Sequence, residues 1–272
     1  MFKVSELPYF RARIADLSIL LKTLETKKES IDNWFTDWFD SDHYHLLYQH
    51  RNDAEAEAFI NRLFNKLNLE KGSKVLDLAC GKGRHALQVY QLGYDVTGLD
   101  LSEESIAHAK KFEEEGLRFV RGDMRQLSLD AKFDLTLNLF TSFGYFKEQE
   151  EDLKVLDGLS EHLEKDGMVL IDFLNVKKVE SDLPCSNTIQ REHIEFKTSK
   201  KLEDGFIVKD IIFEDKGKSH HFKEYVKYLK LSDFENYFKK VGMKIKAVYG
   251  DYHLNPFEED RSDRLIMIAK YA

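Results

Sequence analysis

Residues 75–86 read Val75-Leu76-Asp77-Leu78-Ala79-Cys80-Gly81-Lys82-Gly83-Arg84-His85-Ala86: a buried-type strand, a two-glycine turn and the start of a helix. Glycine belongs where the main chain turns sharply and where a ligand lies against it. The helix that follows offers free N–H groups and a partial positive charge at its start. The stretch therefore demands a strand–turn–helix unit of an α/β fold. It points to a ligand with a negative group, a nucleotide or nucleotide-like cofactor.

The alternation continues downstream. Hydrophobic patterning predicts strands at about 74–79, 94–99, 117–121, 133–139 and 167–174. Helices fall between them at 84–92, 103–115 (with Ser102 as N-cap) and 148–163. Strands alternating with helices build a parallel sheet covered on both faces. After residue 176 the pattern changes. Strand-like stretches at 188–196, 205–214 and 219–229, with Lys216-Gly217-Lys218 as a turn, predict an antiparallel hairpin or three-stranded ribbon. A helix at 231–241 and strands at 244–249 and 264–269 close the chain. Upstream, Leu17, Ile19, Leu20, Leu21 and Leu24 predict an amphipathic helix within 1–30, and another helix spans about 52–68. The expected organisation is a helical extension with an aromatic lid over 1–69, a core of 70–175 and 231–272, and an antiparallel β insert over 176–230 on the substrate side.

Composition narrows the function. A net charge of −8 argues against a non-specific nucleic-acid binder, which needs a basic face. No apolar run approaches the ~20 residues of a membrane helix, and the N-terminus lacks the core of a signal peptide. The two cysteines, Cys80 and Cys185, form neither a disulfide framework nor a metal-ligand spacing. His220-His221 and the Asp42, His43, His45 group lack a third ligand at suitable spacing, so no metal is expected. A reducing cytoplasm is the expected compartment.

Gly81-x-Gly83-x-x-Ala86 satisfies the dinucleotide pattern, which alone fits a nicotinamide or flavin enzyme. Four features pull elsewhere. Asp77, just before the glycines, can face a cationic ammonium. Asp100 ends the second strand, where a carboxylate can accept both hydroxyls of a ribose. Gly122-Asp123-Met124 follows the third strand and offers an acceptor for an adenine amino group beside an apolar wall. The chain finishes on a strand pair in which a reversed strand is expected. Read singly, each acid has a plainer role: Asp77 as a turn cap, Asp100 as a helix-start charge, Asp123 as a loop carboxylate.

Together these motifs resemble the class I S-adenosylmethionine-dependent methyltransferases of small-molecule type. Asp77-Leu78-Ala79-Cys80-Gly81-Lys82-Gly83 looks like the family's first motif, Leu99-Asp100-Leu101-Ser102 like its ribose-binding motif and Gly122-Asp123-Met124 like its adenine motif. Phe133-Asp134-Leu135-Thr136-Leu137-Asn138 is similar to the fourth strand, whose end borders the transferred methyl. The resemblance covers about 70–175 by motif and 231–270 by topology. It implies a Rossmann-like seven-stranded sheet with the last strand antiparallel. It implies S-adenosylmethionine as cofactor, with S-adenosylhomocysteine as product. The cofactor candidates are Asp77, Ala79, Cys80, Gly81, Gly83, Asp100, Leu101, Asp123, Met124, Asn138, Leu139 and Phe140.

The acceptor side lies elsewhere. The fourth strand runs into Leu139-Phe140-Thr141-Ser142-Phe143-Gly144-Tyr145-Phe146, without the Pro-Pro or Pro-Cys signatures of nucleic-acid methylation, so the expected acceptor is a small molecule. Such an aromatic wall suits a sulfonium or ammonium through cation–π contact. The segment 33–51, with both tryptophans, resembles the N-terminal lid of small-molecule methyltransferases. Tyr44, Tyr48 and Arg51 are candidates for the methionine end or the substrate, and Tyr145 and Tyr44 for catalysis. The expected chemistry is in-line methyl displacement, in which the protein aligns donor and acceptor and excludes water. A nicotinamide-dependent oxidoreductase and a non-catalytic S-adenosylmethionine-binding module stand as alternatives. Nothing in the sequence specifies the acceptor, the attacked atom or the oligomeric state.

Overall fold

The computed structural model describes residues 34–48 and 53–272, the side chains of 53–55 apart. The helix expected within 1–30 and the candidate Arg51 lie outside the described residues. The chain opens on two short helices, α1 (Trp34–Phe39) and α2 (Asp42–Tyr48), then α3 (Asp53–Leu67). The core alternates β1 (Lys74–Leu78), α4 (Arg84–Gln91), β2 (Asp95–Asp100), α5 (Glu103–Ala109), β3 (Leu117–Arg121), β4 (Phe133–Asn138), α6 (Gln149–Glu161) and β5 (Leu163–Leu174).

These strands form one sheet of seven with β10 (Met243–Tyr249) and β11 (Arg264–Tyr271), in the order β10-β11-β5-β4-β1-β2-β3. All neighbours from β5 to β3 are parallel, while β11 runs antiparallel to both β5 and β10. The expected seven-stranded sheet with a reversed last strand is therefore observed. Strands buried on both faces carry continuous apolar runs. Leu76, Leu78, Val169 and Ile171 pack toward α6 and α8 (Leu231–Lys240). Val75, Val96, Leu135 and Leu137 pack toward α3, α4 and α5.

The insert is larger than expected. After a short helix α7 (Val176–Ser181), strands β6 (Cys185–Arg191), β7 (Ile194–Glu203), β8 (Phe206–Asp215) and β9 (Lys218–Lys227) form an antiparallel sheet in sequential order. The expected strand at 188–196 straddles a hairpin. Its turn at Glu192-His193 has no Gly or Pro to mark it, and Glu192 itself takes a φ of 47°. The polar run 197–203 is a strand because its outer face is in solvent. The other two hairpins turn on Gly205 and Gly217, where glycine supplies the left-handed φ.

The lid packs on the insert. Trp38 and Leu47 are buried with Ile194, Phe196, Ile211 and Phe213. The insert is tied to the core by Lys227 of β9, whose ammonium lies 2.5 Å from the buried Asp152 of α6 and 2.9 Å from the Glu148 carbonyl. No helix among the described residues is long and apolar enough to cross a membrane.

Gly98, in the middle of β2, fits closely. A Cβ there would sit 2.6 Å from the Phe119 ring and 2.9 Å from the Cys80 sulfur. Gly98→Ala is expected to cost about 1–3 kcal/mol. In a Phe119→Leu background the same substitution should cost less than half as much, checked by a denaturant double-mutant cycle. Equal cost in both backgrounds would place the clash elsewhere.

Candidate active site

The strand order reverses between β1 and β4, and a crevice opens at the C-terminal ends of the strands at such a switch point. The turn after β1 lines it. Ala79, Gly81 and Gly83 take φ of 61°, 56° and 84°. The Cys80 N–H donates to the Leu99 carbonyl (3.0 Å) and the Gly83 N–H to the Cys80 carbonyl (3.0 Å). Asp100 fastens the turn to the end of β2. Its Oδ2 accepts from the Gly81 N–H (2.8 Å) and its Oδ1 from the Ser102 N–H (2.9 Å). Ser102 then caps α5, accepting from the Ser105 N–H at 3.0 Å.

A cavity of about 540 Å³ sits over this turn. It gathers Asp77, Ala79, Cys80, Gly81, Asp100, Leu139, Phe140, Tyr44, Tyr48 and Tyr145. The structure does not bring the other candidates to its lining. Gly83 starts α4 from a position where a Cβ would meet Phe119 at 2.6 Å, so its role is clearance. Leu101 and Met124 pack against the core. Asn138 is buried, its amide donating to the carbonyls of Leu78 and Ser142 (both 3.3 Å), and it joins β1 to the loop after β4. Asp123 is engaged by Arg125, whose guanidinium approaches within 2.6 Å. Burial disfavours its ionised form, yet the Arg125 bonds hold its carboxyl below the usual range. Sequence reading missed Phe39, His45, Ser102 and His85 as wall residues. The first two sit in the aromatic lid and the last is the second residue of α4, so proximity to the motifs was their only signal.

The electrostatics are unusual. Asp77 is 2% exposed and its Oδ2 has no hydrogen-bond partner among the described residues. Burial, reinforced by the Asp100 carboxylate, pushes Asp77 up to about 7. His45 Nε2 is likewise buried and without a partner, and burial, then Lys82, lowers this histidine to about 4. Burial pushes the Cys80 thiol well up, which leaves it a small turn residue rather than a nucleophile.

A second cavity of about 430 Å³ adjoins the first. Phe39, Tyr44, Tyr48, Arg84, Phe140, Ser142 and Tyr145 line both. The loop between them is strained: Phe140 and Thr141 both have positive φ, 56° and 64°. Buried Asp172 on β5 holds it. Its Oδ2 accepts from the Phe140 N–H (2.9 Å) and the Tyr252 hydroxyl (3.1 Å), and its Oδ1 from Arg264 Nε (2.7 Å). Arg264 also donates to Thr141 Oγ1 at 2.9 Å. On the far side, Glu224 of β9 accepts from Trp38 Nε1 (2.8 Å) and, through both oxygens, from the Tyr48 hydroxyl (2.7 and 2.8 Å). Among the described residues no group of three His, Cys, Asp or Glu is arranged to hold a metal.

A family profile described as "Methyltransferase domain" matches residues 75–167. A dTDP-3-amino-3,4,6-trideoxy-alpha-D-glucopyranose N,N-dimethyltransferase of Streptomyces venezuelae is 35% identical over 133 residues, 48% of this chain and 56% of that one. A glycine/sarcosine N-methyltransferase of Aphanothece halophytica is 26% identical over 265 residues, 90% of each chain. The crystal structure of an S-adenosylmethionine-dependent methyltransferase from Clostridium acetobutylicum superposes with a TM-score of 0.71 at 22% identity, covering 84% of this chain and 95% of that one. The chain carries a methyltransferase domain over residues 75–167 and has the fold of the S-adenosylmethionine-dependent methyltransferases. It spans about half the length of most of the curated relatives it matches. The domain does not favour the nicotinamide reading of the glycine turn.

The cofactor of this methyltransferase family is S-adenosylmethionine, and the residues present fit it. The cavity offers a buried carboxylate with one oxygen unpartnered among the described residues, free to meet an ammonium, and a Gly81 with nothing within 4 Å of where a Cβ would stand. The sign of the Asp77 shift gives a test. A carboxyl raised from about 4 to about 7 favours the fold at low pH, and that contribution is lost as pH rises through 7. The full difference is on the order of 4 kcal/mol. Asp77→Asn should therefore be more stable than the wild type at pH 8, with the gap closing toward pH 4, in thermal melts without ligand. The same variant should bind S-adenosylhomocysteine at least tenfold more weakly by calorimetry. A wild type that stays the more stable at pH 8 would refute the assignment.

Proposed function

We propose that the chain transfers a methyl group from S-adenosylmethionine to the nitrogen of a small-molecule amine. The observation that carries this reading is the pair of adjoining cavities with a common aromatic wall. One cavity lies over the glycine turn, the other between the lid and the insert sheet. The nitrogen is supported by the relatives, which include N-methyltransferases of an amino sugar and of glycine and sarcosine. The two free cysteines support a reducing compartment, the cytoplasm.

When bound, S-adenosylmethionine supplies a methyl already activated on a sulfonium. The chain's own residues then hold and exclude. The turn 79–81 and Asp100 cradle the nucleoside, and Asp77 accepts from the ammonium. Phe39, Tyr44, Phe140 and Tyr145 shield the junction from water and present ring faces to positive charge. Alignment of this kind can supply several kcal/mol of the barrier. An amine must also lose a proton. The Tyr48 hydroxyl stands at the junction, and both oxygens of Glu224 lie within hydrogen-bond distance behind it. A proton leaving the acceptor nitrogen passes to the Tyr48 oxygen as the tyrosine's own proton passes to Glu224.

Titration calorimetry should show saturable binding of S-adenosylhomocysteine and none of NADH. Absence of the first would sink the reading. Methyl-labelled donor with a pool of primary and secondary amines should give labelled products. With any amine so found, Tyr48→Phe should lower kcat about 100-fold while leaving S-adenosylhomocysteine affinity within threefold. An unchanged kcat would remove Tyr48 from the proton route.

A further inference from the structure

On the part of the insert sheet that faces the second cavity, one charged row lies between two rows without charge. Register places Lys200 on β7 opposite Lys209 on β8, and Lys209 opposite Glu224 on β9. All three line the second cavity. The rows on either side on the same face are apolar or weakly polar. Thr198, Ile211 and Phe222 lie on one side, and Leu202, Ile207 and Val226 on the other. Charged side chains rarely point into such a face without a partner to meet there.

The row is also out of balance. Like charges directly opposite across a strand pair repel. Lys209 is 12% exposed by side chain and is held by the Tyr48 hydroxyl (2.5 Å) and Glu224 (3.7 Å). Glu224 already accepts from Trp38 and Tyr48 and is ion-paired with Lys209. The Lys200 side chain has no ion pair or hydrogen bond among the described residues. Of the other charges on the cavity, Arg84 lies 5.0 Å from the centre of the Phe140 ring on the wall shared with the first cavity, Arg264 is engaged by Asp172, and Asp263 immediately precedes β11. A chain with a net charge of −8 thus turns two adjacent cations into a metabolite-sized space, with one carboxylate in the row, on the far side of Lys209 from Lys200.

We propose that the acceptor carries an anionic group, a carboxylate or a phosphate, which binds at Lys200 and Lys209. Anchored there, the molecule presents its amine to the wall of Tyr48 and Tyr145 shared with the cofactor cavity. The acceptor is then an acid-bearing amine rather than a simple cationic one. The acceptor role rests on the methyltransferase reading; the anion site itself does not.

Both tryptophans of the chain report on this place, since Trp34 lines the cavity and Trp38 donates to Glu224. The full chain would be titrated with inorganic phosphate, with acetate and, as control, with tetramethylammonium chloride at matched ionic strength. Each titration would be run with and without saturating S-adenosylhomocysteine, and tryptophan fluorescence read. The expected result is a saturable response to phosphate or to acetate, the stronger of the two identifying the group, and none to the control. Lys200→Gln should weaken that response at least tenfold. Lys197→Gln, on the outer face of the same strand and 70% exposed, should not. No saturable response to either anion, or equal effects of the two substitutions, overturns the proposal. Calorimetry with S-adenosylhomocysteine on the same samples keeps the two readings apart. Loss of that binding with anion binding intact would overturn the cofactor assignment and the acceptor role while the anion site stands.

Discussion

The carboxylate of Asp172 joins three parts of the molecule that are distant in sequence. It sits on β5 with no exposure, and it takes hydrogen bonds from the loop after β4, from Arg264 on the reversed strand β11 and from Tyr252 in the loop before it. A buried charge is tolerated only when it is paired and its remaining lone pairs are satisfied. Here both conditions are met by groups that shape the site. The bonds to Phe140 and the Arg264 contact to Thr141 hold two residues in left-handed backbone that neither would adopt alone. That strained turn aims the 140–145 loop between the two cavities. The reversed strand is thus more than an edge of the sheet, since it delivers the arginine that keeps the dividing wall in place.

The second organising contact lies at the other border. Lys227 carries the insert sheet onto α6 through Asp152, and its N–H donates to the Gly144 carbonyl at 2.8 Å. The lid helices α1 and α2 fill the inner face of that sheet with Trp38 and Leu47, so lid and insert form one layer rather than two opposing walls. The acceptor cavity is the gap between this layer and the C-terminal ends of the core strands. Its row of Lys200, Lys209 and Glu224 comes from the insert, Arg84 and Arg264 from the core, and its aromatic chemistry from the lid and the 140–145 loop.

Much of the core was legible from residues alone. The runs at 75–78, 96–99, 135–138 and 168–173 are apolar because both faces are covered, and the helices between them are bounded by Ser102 and by the glycine turns. The cofactor side was legible for the same local reason: Asp77, Gly81 and Asp100 stand within a few residues of strand ends, and the parallel register of β1 and β2 brings those ends together. The places where reading failed share a cause. The hairpin at Glu192-His193 uses an ordinary residue at positive φ, which no turn residue announces. Asp123, expected to face the ligand, is placed outside the cavity lining, where Arg125 two residues on meets it through the short helical turn they share.

By itself the sequence determined the sheet, the glycine cradle and the methyltransferase motifs, because strand periodicity, turn residues and cap residues act over a handful of positions. Only the tertiary structure decided the acceptor side. Lys200, Lys209, Glu224, Tyr48 and Trp38 are separated by up to 186 residues at their hydrogen-bonded extremes, and while the aromatic segment 33–51 marks Tyr48 and Trp38, no local pattern marks Lys200, Lys209 or Glu224. They become a site because antiparallel register sets three charged side chains in one row and core packing lays the lid across it. Long-range pairing of this kind depends on which faces are buried against one another, and that is decided only when the whole chain has packed.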